Sequence, residues 1–200
     1  YIQIPRGLQD ELLKKAKQAD IDCEIEDERQ QGRNINVDFI GKLRSEQDKA
    51  LKELIKYDNG ILHAATAFGK TVVSSAIIAQ KKVSTLIILE SSALIEQWKE
   101  ALGKFLNINE KLPTYETKTG RVRKRKSLIG TLQGAHDSMT GIIDIAMAGS
   151  LCKKGEYHKL LKEYGLVLVD ECHHSASETI ANVLKEVKAK YVYGVTATPK

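Results

Sequence analysis

The sequence of 200 residues contains few cysteines, few prolines and no long apolar run. Its three cysteines are odd in number and none forms a C-x-x-C pair, which argues against a disulfide framework and against a zinc ribbon. Apolar segments such as residues 86–89 and 166–169 are far shorter than the roughly 18 residues that span a bilayer, so we expect no membrane segment. There is also no basic-then-apolar leader, and the chain does not begin with Met. We therefore expect an intracellular, cytoplasmic protein and an internal part of a longer one.

The composition is that of a globular chain with a real core, because 42% of the residues are apolar and 28% are charged. The length fits one domain, or one domain with a small appendage, and excludes a large multidomain machine. The net charge is +5, but residues 1–40 carry −3 and residues 41–200 carry +8. This asymmetry permits a polyanionic partner and favours nucleic acid only weakly.

The hydrophobic pattern changes near residue 41. Before it, we predict a small α+β element over residues 1–40: a strand over residues 1–5, a helix carrying Leu8, Leu12, Leu13 and Ala16, a strand over residues 23–26, and a return strand or linker through residues 35–39. After it, strands and helices alternate through residues 41–200, which is typical of a parallel sheet with flanking crossover helices. Predicted strands cover residues 60–63, 83–89, 142–146, 166–169 and 191–195. We predict helix caps at Ser45, paired with Asp48, at Ser92 and at Ser175.

The sharpest motif runs from Ala64 to Thr71, between a short strand and an apolar helix. It matches a phosphate-binding loop, whose backbone N–H groups and helix dipole attract an anion, although Ala64 stands where the general pattern has Gly. Lys70 would reach the β and γ phosphates, and the Thr71 hydroxyl would bind Mg²⁺. The alternative is a turn before an amphipathic helix. The loop residues that we expect to contact ATP are Ala65, Thr66, Ala67, Phe68, Gly69, Lys70 and Thr71.

A second motif, Asp170-Glu171-Cys172-His173-His174, follows an apolar strand. Ligands bind at the carboxyl ends of parallel strands, so Asp170 would hold Mg²⁺ and Glu171 would orient or deprotonate the attacking water. We thus expect Lys70, Asp170 and Glu171 to be catalytic. An acidic strand end before a polar turn is the alternative, and a metal site on the two histidines lacks a third ligand at suitable spacing.

Together these residues resemble the N-terminal motor lobe of superfamily 2 DExH-box helicases and translocases, most closely the subgroup with XPB-type and UvsW-type helicases and type III restriction motors. The resemblance implies a RecA-like P-loop NTPase domain that uses Mg²⁺ and ATP. Gln47, with Arg44 in the same motif, matches the adenine-reading motif. His173, Thr196 and Thr198 match motifs that couple the nucleotide site to nucleic acid. By the same resemblance, Ser91, Ser92, Gln97 and Ser150 would contact the nucleic-acid backbone.

The implied function is the ATP-binding motor lobe of a helicase or translocase acting on DNA more readily than RNA, with a second RecA-like lobe, absent from these 200 residues, that supplies an arginine finger. Alternatives are a restriction-type double-stranded DNA translocase without strand separation, and a P-loop ATPase or binding module not acting on nucleic acid. The densest basic run, residues 118–126, fits a phosphate-tracking loop or a solvated surface loop equally well. We expect Trp98 to lie in the core and Tyr115 at its rim.

Overall fold

A computed structural model describes residues 6–117, 119–153, 155–172 and 178–197. The helices are α1 (Gln9–Gln18), α2 (Ser45–Leu54), α3 (Lys70–Lys81), α4 (Leu94–Phe105), α5 (Ala148–Leu151) and α6 (Glu178–Glu186). The strands are β1 (Val37–Phe39), β2 (Asn59–His63), β3 (Thr85–Leu89), β4 (Leu106–Ile108), β5 (Thr114–Glu116), β6 (Val122–Lys124), β7 (Ile129–Gln133), β8 (His136–Asp137), β9 (Ile143–Met147), β10 (Cys152–Lys153), β11 (Glu156–Tyr157), β12 (Leu166–Asp170) and β13 (Tyr191–Thr196).

The centre of the fold is a seven-stranded sheet in the order β2-β13-β12-β3-β9-β7-β8. Its strands pair in parallel except for β8, which forms an antiparallel hairpin with β7. Strands β3 and β12 are buried along their whole length, as expected for apolar strands covered on both faces. The predicted α/β architecture with a parallel central sheet is confirmed.

Helices cover both faces of this sheet and form two hydrophobic clusters. One cluster contains buried apolar residues of α2, α3 and α4, including Ile77, Trp98 and Leu102. The other contains those of α5 and α6, including Leu151 and Ile180. Burial of such side chains contributes roughly 1.5–3 kcal/mol each, so packing and not helix propensity holds these helices in place.

The amino-terminal segment differs in part from the sequence prediction. The predicted helix is confirmed as α1, whereas the predicted first strand, residues 1–5, lies outside the described residues. The strand predicted over residues 23–26 is wrong, because these residues have no regular structure and are exposed. Ile21 and Ile25 are 60% and 53% exposed, so the alternating pattern has no buried face to fill.

Residues 30–39 cross the amino-terminal ends of the central strands. The backbone of Gln30 exchanges hydrogen bonds with Lys188 and Lys190, and the N–H of Ile35 donates to the carbonyl of Lys82. Strand β1 pairs with β4, and Ile35 and Val37 belong to the same core as α3. This segment therefore packs on the structure that follows residue 41, and a domain boundary at that residue stays a prediction.

Two predicted caps are displaced by one residue. Helix α2 has Arg44 as its N-cap, and the backbone N–H of Arg44 donates to Oε1 of Gln47 at 2.9 Å, where Ser45 and Asp48 were expected. Helix α4 has Ala93 at its N-cap position, without a side-chain capping hydrogen bond, where Ser92 was expected. The predicted cap Ser175 lies outside the described residues. No helix in the described part of the chain is long and apolar enough to cross a membrane.

Candidate nucleotide-binding site

The strand register brings the two predicted nucleotide motifs to one edge of the sheet. Thr196 on β13 pairs with His63 on β2, and Val195 pairs with Asp170 on β12. The loop from Ala64 to Gly69 and the Asp170–Glu171 pair therefore lie at the carboxyl ends of strands separated only by β13. This edge is where parallel α/β sheets bind ligands.

The phosphate loop turns through a short 3-10 segment, Thr66–Phe68, into helix α3. Gly69 joins the two with φ +84° and ψ 47°, a left-handed conformation that glycine adopts without steric cost. A Cβ at this position would also lie 2.6 Å from Nε2 of Gln47. Gly69 is thus required by both backbone conformation and close packing, in addition to the access it gives to phosphate.

Lys70, the first residue of α3, is 9% exposed and points back into the loop. Its ammonium group donates a hydrogen bond to the carbonyl of Ala64 at 3.3 Å. That is a weak, long contact for an ammonium ion, since such bonds are usually shorter. The group is therefore held at the loop and can exchange this carbonyl for phosphate oxygens.

Helix α2 braces the same loop from the side. Nε2 of Gln47 donates to the carbonyl of Phe68 at 2.7 Å, and Gln47 is 4% exposed. The guanidinium of Arg44 also donates to the carbonyl of Phe68, lies 3.4 Å from the carbonyl of Ala67, and sits over the Phe68 ring. The structure therefore brings Arg44 and Gln47 to the phosphate loop, and adenine reading by Gln47 stays a prediction.

The carboxylate of Asp170 is 9% exposed and is held by two donors. Nε1 of Trp98 donates to Oδ2 at 2.7 Å, and the backbone N–H of Glu171 donates to Oδ1 at 2.9 Å. Burial raises the pKa of Asp170, while these hydrogen bonds and the nearby charge of Lys70 act against that rise. The influence of Lys70 links the phosphate loop electrostatically to the acidic motif.

Glu171 turns away from the strand with φ +48°, a left-handed conformation that is uncommon outside glycine. Its Oε2 lies 3.5 Å from both the hydroxyl of Thr196 and the backbone N of Ala197. The carbonyl of Thr196 in turn accepts a hydrogen bond from the N–H of Ala64. Thr196 therefore touches both nucleotide motifs, whereas His173 and Thr198 lie outside the described residues.

The donor set fits Mg²⁺. The cation prefers hard oxygen ligands and binds through one or two carboxylates or hydroxyls together with substrate phosphates. The hydroxyl of Thr71, in the first turn of α3, and the carboxylate of Asp170 are oxygen donors of this kind. The same edge of the sheet carries a loop of backbone N–H groups, a lysine and a helix N-terminus, and all three favour phosphate.

The predicted nucleic-acid residues fall into two environments. Ser91, Ser92 and Gln97 are exposed, and they lie after β3 and on the first turns of α4. Ser150 is 8% exposed, and its hydroxyl accepts the backbone N–H of Gly134 at 2.8 Å. Ser150 therefore holds the turn between β7 and β8, and its contact with nucleic acid stays a prediction.

The basic run forms part of an antiparallel hairpin of β5 and β6, except Lys118, which lies outside the described residues. Arg121, Arg123, Lys124 and Lys126 are exposed. Arg125 is fixed instead, with its guanidinium 4.3 Å from the centre of the Tyr115 ring and bonded to the carbonyl of Asp137. The hairpin thus presents four exposed cations beside strand β8.

The predicted core position of Trp98 is confirmed, because its side chain is only 2% exposed. The hydrogen bond from Trp98 to Asp170 was not predicted. One signal in the sequence indicates that such a bond exists. The helical spacing of apolar residues predicts that this ring is buried, and a buried indole N–H usually has an acceptor. No local pattern identifies an acceptor 72 residues away.

The fold and the convergent lysine, aspartate and glutamate define a P-loop nucleotide-binding domain of the kind found in nucleic-acid motors. Residues 40–200 match the family model described as type III restriction enzyme, res subunit, and the chain belongs to this family. It is an N-terminal motor lobe of the superfamily 2 helicases and translocases.

Two curated relatives have similar sequences. The chain is 33% identical over 176 residues to putative helicase 109L of Invertebrate iridescent virus 3, covering 86% of this chain and 50% of that protein. It is 31% identical over 159 residues to the DNA 3′-5′ translocase XPB2 of Sulfurisphaera tokodaii, covering 80% of this chain and 31% of that protein. The chain thus spans half or less of the length of these relatives.

Solved structures show the same fold. The UvsW helicase of bacteriophage T4 superposes with a TM-score of 0.65 at 14% identity, over 98% of this chain and 72% of that one. The SWI2/SNF2 ATPase core of Sulfolobus solfataricus, solved with double-stranded DNA, superposes with a TM-score of 0.57 at 19% identity, over 84% of this chain and 34% of that one.

Proposed function

We propose that this chain is the ATP-binding motor lobe of an ATP-dependent helicase or translocase whose substrate is DNA. The observation that carries the proposal is the convergence of Lys70, Asp170 and Glu171 at one sheet edge. The exposed Ser91 and Ser92, which precede α4, follow the carboxyl end of β3, a strand of that same sheet adjacent to β12. One relative is named a DNA translocase, which supports DNA, although others are named RNA helicases.

In this proposal Lys70 leaves the carbonyl of Ala64 and binds the β and γ phosphates. Thr71 and Asp170 would hold Mg²⁺, which when bound neutralises charge on the phosphate oxygens. Glu171 accepts the proton of the attacking water, and its position is set by its own backbone conformation and by Thr196. Such phosphoryl transfer depends mainly on positioning and charge stabilisation.

A second RecA-like lobe would complete the site. The γ-phosphate then faces an arginine from that lobe, and lobe closure driven by ATP moves the nucleic acid. Thr196 contacts Glu171 and the loop residue Ala64 together, and this supports a role in passing the nucleotide state onward. His173 and Thr198 keep the coupling roles that the family resemblance implies.

A second candidate is a double-stranded DNA translocase that does not separate strands. It is favoured by the match of residues 40–200 to the restriction-enzyme subunit model. Both candidates use the same nucleotide chemistry and differ in whether the two DNA strands are separated.

An intracellular location stays a prediction, based on the small number of cysteines and their spacing.

One set of measurements on the protein with its second lobe distinguishes the two candidate functions. We expect ATP hydrolysis to be stimulated by DNA more than by RNA, with single-stranded DNA, duplex DNA and RNA compared side by side. Stimulation by duplex alone, together with no displacement of a labelled strand, would favour the translocase. Hydrolysis that no nucleic acid changes would overturn both.

A further inference from the structure

The carboxylate of Asp170 is oriented by donors from two separate parts of the chain. Its Oδ1 accepts the N–H of the next residue, which fixes it relative to its own strand. Its Oδ2 accepts the indole N–H of Trp98 on helix α4, at 2.7 Å. A carboxylate has about four lone-pair positions, so two of them are taken and the carboxylate plane can no longer rotate freely. The remaining lone pairs therefore have a defined direction.

Packing alone does not account for a tryptophan at position 98. The site lies in a hydrophobic cluster with neighbours such as Leu102 and Ile95, and an apolar ring or a leucine would fill such a core. An indole brings an N–H that must find an acceptor when it is buried. Here the acceptor is the carboxylate expected to bind Mg²⁺.

Helix α4 gives this bond a second consequence. Trp98 lies one turn after Leu94, where the helix begins, and the helix follows directly on the exposed Ser91 and Ser92. A helix is a rigid element over such a distance. A shift of its first turn caused by a bound nucleic-acid backbone would therefore move the indole N–H relative to Asp170.

We propose that Trp98 is a positioning residue whose indole N–H holds the Asp170 carboxylate in the orientation that receives Mg²⁺, and that α4 thereby couples the Mg²⁺ site to the segment containing Ser91 and Ser92. The inference rests on the proposed function and adds a residue and a coupling route to it. Partners of metal ligands that do not touch the metal commonly change metal affinity by 10–100-fold when removed.

The test removes the N–H and as little else as the chemistry allows. Trp98→Phe keeps an aromatic ring but shrinks it. The benzothienyl analogue of tryptophan, introduced at position 98, keeps the ring size and replaces only the N–H by sulfur. For each protein, nucleotide affinity is measured by calorimetry over a series of Mg²⁺ concentrations. We expect Mg²⁺ affinity in the nucleotide complex to fall about 10-fold or more, while nucleotide affinity without Mg²⁺ is unchanged.

Two control variants separate positioning from loss of packing. Leu102→Ala removes core volume one turn further along the same helix, at a fully buried apolar position. Tyr164→Phe removes a hydroxyl that donates at 2.6 Å to another buried carboxylate, Asp144, away from the nucleotide site. Both should lower thermal stability and leave Mg²⁺ affinity as in the unmodified protein. An equal loss of Mg²⁺ affinity in these controls would overturn the proposal.

The coupling between the Mg²⁺ site and the segment containing Ser91 and Ser92 is tested by measuring DNA binding. The affinity for a single-stranded oligonucleotide is measured with and without Mg²⁺-nucleotide, and the ratio of the two affinities should fall toward one in the benzothienyl protein. Unchanged Mg²⁺ affinity would overturn the positioning role, and an unchanged ratio would overturn the route through α4. These measurements use the protein with its second lobe. If that protein, unmodified, binds neither Mg²⁺-nucleotide nor DNA, the proposed function itself has failed.

Discussion

Gln47 holds the phosphate loop through the carbonyl oxygen of Phe68, to which its side-chain amide donates a hydrogen bond of 2.7 Å. The other end of the same amide accepts the backbone N–H of Arg44 at 2.9 Å. Both ends of this buried side chain are therefore engaged within the protein. Any contact with adenine would share an amide that already fixes the shape of the loop.

Replacing Gln47 by Glu should weaken nucleotide binding about 10-fold. A carboxylate can still accept the N–H of Arg44, but it cannot donate to Phe68, and it places a negative charge near the phosphates. Loss of one hydrogen bond costs about 1 kcal/mol, and a tenfold loss of affinity corresponds to about 1.4 kcal/mol. The remaining loss of binding free energy comes from repulsion between the new carboxylate and the phosphates. Calorimetry with ADP measures the change. The exposed neighbour Glu46, changed to Gln, is the control, and equal affinity for all three proteins would contradict a role for Gln47.

Much of the site could be predicted because its signals are local. The apolar runs that became β3 and β12 and the loop from Ala64 to Thr71 are contiguous in sequence. Parallel strands end at a common edge, so the two nucleotide motifs were expected to meet. The register of β2, β13 and β12 confirms that expectation.

Other features depend on partners distant in sequence. The alternation over residues 23–26 predicted a strand, but a strand forms only where a neighbouring strand or a core accepts it. The short pair of β1 and β4 joins residues about 70 apart in sequence, and the bond from Trp98 to Asp170 spans 72. Local periodicity carries no information on such pairings.

Lys70→Ala should abolish binding of Mg²⁺-nucleotide. Lys70 is held in the loop by a long hydrogen bond to the carbonyl of Ala64, and it is the cation that we propose to bridge the β and γ phosphates. Alanine still fits the first turn of α3, so the fold should persist. Lys52→Ala is the control, because its exposed ion pair with Asp48 contributes at most about 1 kcal/mol. Unchanged nucleotide affinity of Lys70→Ala by calorimetry would remove the phosphate-loop assignment.

Glu171→Gln should bind nucleotide normally and hydrolyse it 10²–10⁴-fold more slowly, since an amide can orient water but cannot take its proton. Glutamine keeps the side-chain length and can still meet Thr196. The rate is measured in the protein with its second lobe, under single-turnover conditions. Glu178→Gln, on the exposed first turn of α6, provides a matched change. Hydrolysis at the parental rate would show that Glu171 is not the base.

The basic hairpin should contribute to nucleic-acid affinity through phosphate contacts. We expect the change of Arg121, Arg123, Lys124 and Lys126 to Gln to weaken DNA binding and to flatten its dependence on salt. Each lost phosphate contact lowers the slope of log K against log[salt] by about 0.9 on duplex DNA. Arg125 is left in place, because its guanidinium is bonded to Asp137 and packed on Tyr115.

The control for the hairpin carries the same loss of charge elsewhere, with Lys14, Lys15, Lys17 and Lys52 changed to Gln. Long-range attraction would fall equally in both quadruple variants, whereas local contacts would be lost only from the hairpin. Titrations of a fluorescent duplex at several salt concentrations give the two slopes. If the hairpin variant and the control have the same slope, the hairpin is a solvated surface and no part of the DNA track.

The 200-residue chain by itself should bind adenine nucleotide weakly and hydrolyse it very slowly. In the proposed site it provides Lys70, Asp170 and Glu171 on one side of the γ-phosphate, while the resemblance to superfamily 2 motors implies an arginine from a second lobe on the other. An arginine of this kind accelerates phosphoryl transfer by roughly 10³–10⁵. Without it, developing charge faces water, which screens it and must reorganise as the charge develops. Steady-state ATP hydrolysis by the purified monomeric chain, with and without single-stranded DNA, tests this. Rapid, DNA-stimulated turnover would mean that the site is complete within these residues, and the proposal of a two-lobed motor would have to be withdrawn.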